Sequence, residues 1–237
     1  MNRYIILILA FLGLPVISFA GDMEDDPLLF SLMVDKLEMR TADDSNPVEW
    51  DASFWIGKDI NKLMFKTEGE YHDQKLEEVE YQALYNRAIT PFWDLHVGGR
   101  KDTYQEPGKP DRNWFAIGFE GVAPYNIEID TALFLGEEGR SSLRFKAEYE
   151  ILFTQRLVLV PEVEMDFYGT DDPEIQTGSG LSETELGVRL KYEIKREFAP
   201  YIGVNWSRLW GQTADYAKDE GEDFDNIRFV TGVSFWF

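Results

Sequence analysis

Over most of its length the chain alternates apolar and polar residues, a period of two that only an extended strand separates into two faces. In "VEWDASFWIG", Val48, Trp50, Ala52, Phe54 and Ile56 fall on one side and Glu49, Asp51 and Ser53 on the other, with Trp55 breaking the polar side. "VEYQALYNR" sets Val79, Tyr81, Ala83 and Tyr85 against Glu80, Gln82 and Asn86, and "NIEIDTALFLG" sets Ile127, Ile129, Leu133 and Leu135 against Glu128 and Asp130. The clearest stretch is "LRFKAEYEILF", where Leu143, Phe145, Ala147, Tyr149 and Ile151 oppose Arg144, Lys146, Glu148 and Glu150. "LVPEVEMDFYG" and "ETELGVRLKYEIK" continue the pattern, and "RFVTGVSFWF" closes it with Phe229, Val233, Phe235 and Phe237 on one face. About twelve strands are expected by this reading.

The links between strands alternate in length. "AIT", "APYN", "TQR" and "KREFAP" are short, whereas "RKDTYQEPGKPDRN", "GTDDPEIQTGSGLSE" and "GQTADYAKDEGEDFDN" are long, acidic and rich in turn residues. A soluble sandwich also alternates along its strands, but nothing in it requires long and short links to take turns. Short turns on one rim and long loops on the other are the pattern of an outer-membrane barrel. The expected fold is therefore all-β, a transmembrane antiparallel β-barrel of about twelve strands over residues 28–237. Closure would pair the last strand with the first, leaving no free edge and turning Phe235 and Phe237 toward lipid.

The first residues change the picture of where such a barrel is built. "MNRYIILILAFLGLPVISFA" has a cationic start at Arg3, an apolar run from Ile5 to Ile17 and a small-x-small ending at Ser18 to Ala20. It reads as a signal peptide over residues 1–20, followed by a short periplasmic segment over 21–27. Its apolar run is too short for a spanning helix, which needs roughly 20 residues. The chain also carries 44 acidic against 23 basic residues, a formal net charge of -21. That balance repels nucleic-acid phosphates and favours cations. Without cysteine there is no disulfide framework or thiolate metal site. No nucleophile with a partner base, metalloprotease helix or phosphate loop is present, so no enzyme is expected.

Function should then lie on the inward face. Its acids outnumber its bases, which fits either charge pairs that fill a small barrel or carboxylates that draw cations into the lumen. His96 in "WDLHVGG" alternates against Trp93, Leu95 and Val97 and should point inward beside Asp94. A neutral imidazole near carboxylates is a copper or zinc ligand, or a hydrogen-bonded interior residue. Met33 and Met64 should also face in, where a thioether suits cuprous copper or fills a gap. Glu68 joins them among the inward carboxylates. The candidate metal ligands are thus Met33, Met64, His96, Asp94 and Glu68, whereas His72 in "EYHDQ" is expected at an exposed tip.

Several segments carry a resemblance. "WIGKDINKLMFKTEGE", "LYNRAITPFWDLHVGGRKD", "RNWFAIGFEGVAPY", "FLGEEGRSSLRFKAEYEILFTQRLVLVPEVEMDFYG", "GSGLSETELGVRLKYEIKREFAPYIGVNW" and "RFVTGVSFWF" resemble the copper resistance protein B family of outer-membrane proteins, from about Trp50 to Phe237. The resemblance implies a copper-handling role in the outer membrane, with copper as transient ligand or substrate, surrounding lipid, and a periplasmic multicopper oxidase as partner. Members often carry a Met- and His-rich segment before the barrel. Here "GDMEDDPLLFSLMVDKLEMR" offers Met23, Met33 and Met39 and no histidine, which shifts any metal contact toward the lumen. Three readings stay open: a copper conduit, a structural or docking barrel for a periplasmic copper oxidase, and a cation-preferring pore without metal specificity.

Overall fold

The computed structural model describes residues 26–42, 46–72, 75–105 and 108–237. The expected signal peptide, 1–20, and all of 21–27 but its last two residues lie outside the described residues. The described chain folds as twelve antiparallel strands: β1 (Leu29–Arg40), β2 (Val48–Gly57), β3 (Asn61–His72), β4 (Lys75–Thr90), β5 (Trp93–Tyr104), β6 (Arg112–Ala123), β7 (Ile127–Gly136), β8 (Ser141–Tyr149, continued by Ile151–Leu152), β9 (Leu157–Tyr168), β10 (Gly180–Tyr192), β11 (Phe198–Leu209) and β12 (Asp225–Trp236). Each strand pairs with its neighbour in sequence, and β1 pairs antiparallel with β12, from Met33 opposite Trp236 to Arg40 opposite Val230. Phe237 completes the seam by exchanging two backbone hydrogen bonds with Leu32, at 2.8 and 3.0 Å. The sheet is closed, so its backbone groups are satisfied internally and no edge is left.

The two faces separate as the alternation predicts, with the polar one inside. Leu63, Phe65, Phe115, Ile117, Ile202, Ile227 and Phe229 are exposed on the outer surface, while Glu38, Arg100, Asp102 and Arg189 are buried within. Such inversion suits a surround of lipid. Exposed Phe92, Tyr125, Phe153, Phe198 and Phe237 gather where the short links run, a girdle of aromatic rings at that rim.

Two departures from simple alternation have local causes. β1 carries a one-residue bulge: Val34 pairs with Ala52 and Lys36 with Asp51, leaving Asp35 as the extra residue. Met33 below the bulge and Lys36, Glu38 and Arg40 above it therefore lie on the same inner face, though their numbers differ in parity. The link expected to begin at Arg100 is shorter than the sequence reading implies, because β5 runs on to Tyr104. Its extension is held by the buried Arg100–Asp102 pair at 2.7 Å and by Trp114 Nε1, which donates to Asp102 at 2.8 Å.

Two segments of the long-loop rim, 169–179 and 210–224, are tied to each other and to the barrel. Residues 210–224 contain a helix, α1 (Gly211–Glu220), ended by Gly221 in the left-handed conformation at φ 82°. Its Thr213 hydroxyl meets that of Ser182 at 2.8 Å and accepts from the Gly178 backbone at 2.9 Å, joining α1 to the 169–179 loop. That loop is anchored by Asp172, which accepts two hydrogen bonds from Arg112 at 2.8 Å and pairs with Arg140 at 2.9 Å. Burial raises the Asp172 carboxyl, but the Arg112 hydrogen bonds and both guanidinium charges outweigh it and hold its pKa below the ordinary value. A lowered folded pKa contributes stability above pH 4 that is lost as pH falls through the lowered value. Asp172→Asn should therefore loosen this loop at neutral pH by about 1.5–3 kcal/mol, read as faster amide exchange over 169–179. Unchanged exchange would show that the anchor lies elsewhere.

Candidate metal centre

The lumen is crossed by charges. Arg144 on β8 reaches Glu68 on β3 and Glu80 on β4, both at 3.1 Å, and Glu164 and Asp166 on β9 at 3.2 and 3.0 Å. Lys146 adds Glu68 at 2.6 Å and Glu164 at 3.4 Å. β3 and β8 face each other across the barrel, so these side chains form a transverse bar. A second network lies behind the seam. Glu38 on β1 accepts from Arg189 on β10 at 2.8 and 2.9 Å, from Arg40 at 3.1 Å and from the Tyr201 hydroxyl at 3.0 Å. Arg189 continues to Glu162 at 2.7 Å, which also pairs with Lys36. Between the bar and the long loops is a vestibule of about 640 Å³, where acids such as Glu49, Glu70, Glu78 and Glu183 outnumber the bases.

Beneath the bar lies a smaller cluster. His96 on β5 is 1% exposed, and its imidazole, Glu120 on β6 and Asp130 on β7 bring one ligand-capable atom each to within 4.8 Å of one another. Lys66 Nζ lies at 2.7 Å from Asp130 and 3.1 Å from Glu120, and Asn86 Nδ2 donates to Glu120 at 2.8 Å. His96 Nδ1 is buried without a hydrogen-bond partner. The residue opposite His96 is Gly118, where any side chain would collide with the imidazole Nε2. A cavity of about 20 Å³ opens beside the cluster, bordered by Glu68, Gln82, His96 and Asp130 and by the cations Lys66, Arg144 and Lys146.

The five residues singled out from the sequence are spread through the lumen. His96 and Glu68 border the same small cavity. Asp94 lies two residues from His96 and meets Lys62 at 3.5 Å. Met64 is buried in an apolar layer with Leu84, Trp114, Ala116, Ala132 and Phe134. Met33 shares the inward row with Ser53 and Trp236 near the short-turn rim and is 39% exposed. His72 is less exposed than a loop tip, its Nδ1 at 3.0 Å from Glu77, and with Glu70 it forms another possible metal cluster at the vestibule mouth. Glu120 escaped the sequence reading because the glycines of "GFEGVAPY" blur the alternation around it.

A family model described as copper resistance protein B precursor (CopB) matches residues 28–237. A copper resistance protein B homolog of Pseudomonas syringae pv. tomato is 42% identical over 221 residues, 93% of this chain and 74% of the relative. Copper resistance protein B of Escherichia coli is 42% identical over 215 residues, covering 91% and 72%. Among solved structures, the KdgM porin is similar with a TM-score of 0.53 at 12% identity, and the NanC porin with 0.54 at 11%, each covering 87% of this chain and 99% of the porin. Outer membrane phospholipase A of Escherichia coli is similar at 0.50 and 12%, over 86% of this chain and 95% of the phospholipase. At these identities the structural likenesses establish the outer-membrane barrel fold alone. The match along the whole barrel, with two relatives at 42% identity, carries the conclusion that this chain belongs to the copper resistance protein B family.

Proposed function

We propose that this barrel serves copper homeostasis by binding copper transiently in its lumen and conducting it across the outer membrane, without enzymatic chemistry. In this reading residues 1–20 direct export and are removed, residues 21–27 lie in the periplasm, the barrel 28–237 is embedded in lipid, and its short-turn rim faces the periplasm. The observation that carries it is a buried imidazole with an unpartnered ring nitrogen, set below an acidic vestibule in a member of a copper resistance family. The vestibule carboxylates concentrate cations at the mouth. Glu68 lies toward the long-loop end of β3, Met64 nearer its short-turn end, His96 and Asp94 near the short-turn end of β5, and Met33 near that end of β1. Together they offer oxygen, nitrogen and sulfur donors along the length of the lumen.

The test is copper uptake into liposomes carrying the refolded barrel, with potassium and zinc flux in parallel and a triple Met33, Met64 and His96 variant as control. Copper flux should exceed that of the other ions and fall by at least about tenfold in the variant, as when a ligand set is disrupted. Equal flux of all three ions would mean a cation-preferring pore. The bar of Arg144 and Lys146 favours a second reading, a closed barrel that docks a periplasmic copper oxidase. Absence of all flux, with the oxidase retained on barrel-bearing liposomes, would support it.

A further inference from the structure

The geometry points to a divalent-ion site formed by His96, Glu120 and Asp130, which takes copper as Cu2+ in preference to Cu+ and for which the Lys66 ammonium is a built-in competitor. The inference deepens the copper reading, resting on it only for the identity of the ion.

Independent features of the structure converge on the same spot. Three donors on adjacent strands approach within 4.8 Å of one another. One of them, His96, is 1% exposed and keeps Nδ1 without a partner, a condition that costs free energy in a folded protein and that a bound ion would relieve. The 20 Å³ cavity beside it is large enough for one water-sized guest. Gly118 keeps the imidazole's place clear, since a side chain there would meet Nε2.

Lys66 shows that the site stabilises positive charge. Its Nζ lies between the carboxylates of Asp130 and Glu120, at 2.7 and 3.1 Å. A divalent ion bonded to those oxygens would have to displace the ammonium. Exchange of one cation for another keeps the two half-buried carboxylates compensated throughout. Binding is then weaker than three free ligands would give, and release is assisted by the returning lysine. This suits an ion that has to leave again.

The donor set also selects an oxidation state. One imidazole nitrogen and two carboxylate oxygens match Cu2+ and, more weakly, Zn2+, whereas Cu+ prefers thioethers. Among the described residues that line the cavity there is no sulfur, and Met64 is turned into the apolar layer.

The experiment uses the full chain refolded in detergent, titrated with Cu2+ and Zn2+ and, anaerobically with a reductant, with Cu+. Four single variants accompany it: His96→Gln, His72→Gln, Lys66→Met and Met64→Leu, with circular dichroism checking that each barrel is folded. One Cu2+ per chain should bind, with nitrogen coupling from a single imidazole in its electron paramagnetic resonance spectrum. That coupling should vanish in His96→Gln and persist in His72→Gln and Met64→Leu. Lys66→Met should tighten Cu2+ about tenfold or more, because a positive charge is removed beside the ion. If Lys66→Met does not fold, the His96 and His72 pair decides alone. Nitrogen coupling that persists in His96→Gln, or Cu+ binding tighter than Cu2+ at these donors, would overturn the site. Binding as described without transmembrane flux would leave the site standing and sink the conduit, and flux without such binding would do the reverse.

Discussion

Arg144→Met is expected to cost the barrel about 3 kcal/mol, the lower end of the penalty for removing one partner of a buried ion pair, because the guanidinium and its partners are partly buried. The guanidinium touches four carboxylates, Glu68, Glu80, Glu164 and Asp166, within 3.2 Å. Glu80 keeps Arg100 at 2.9 Å and Glu68 keeps Lys146 at 2.6 Å. Asp166 has no other ion pair among the described residues, and its charge would be left beside Glu164 in a low-dielectric interior. Methionine fills much of the space and isolates the electrostatic loss from cavity formation. Two readouts check the result, the denaturant midpoint and the single-channel conductance in planar bilayers. Stability should fall while conductance rises, since the bar across the lumen is cut. Stability and conductance both equal to the parent would show that the bar carries neither load.

The second large effect is expected at Glu38. This carboxylate is 1% exposed and accepts from Arg189, Arg40 and Tyr201, so it ties β1 to β10 and β11 across β12. Those strands flank the closing seam. Glu38→Ala removes the acceptor of four hydrogen bonds and leaves buried donors unmatched, a loss of about 3–5 kcal/mol. Glu38→Gln keeps an acceptor oxygen and the side chain's size and should lose less, about 1.5–3 kcal/mol. The order of the two midpoints is the informative quantity. Equal losses would mean that side-chain volume, rather than the network, supports the seam.

Much of this architecture is visible in the amino-acid pattern, and the exceptions are instructive. Strand faces such as Leu143 to Ile151 against Arg144 to Glu150 are legible because lipid and lumen impose opposite polarity on neighbouring residues. The closing of β12 on β1 is foreshadowed by the alternation that ends at Phe237. The inward positions of Lys36, Glu38 and Arg40 are hidden, because the bulge at Asp35 changes phase in mid-strand and parity counted from Met33 assigns them outward. Arg100 and Asp102 are obscured by turn-rich residues that follow them. His96 is recoverable as an inward imidazole. Its neighbours Glu120 and Asp130 are not recoverable as a set, since they belong to different strands and meet only through sheet register.

An even number of strands returns both ends of the barrel to the same rim, and this has a consequence for how the chain enters a membrane. Neither end has to cross the bilayer; the opposite rim must. That rim includes Asp215, Asp219, Glu220, Glu222 and Asp223 in the 210–224 segment alone. Each ionised carboxylate carried through the hydrocarbon centre meets a barrier of roughly 2.5–3.5 kcal/mol on translocon-derived scales. In the proposed orientation the leading edge of insertion is therefore this acidic rim, and the trailing edge is the aromatic girdle. Once the acidic loops have passed, the same barrier opposes their return, so the finished orientation is locked by the residues that made entry slow.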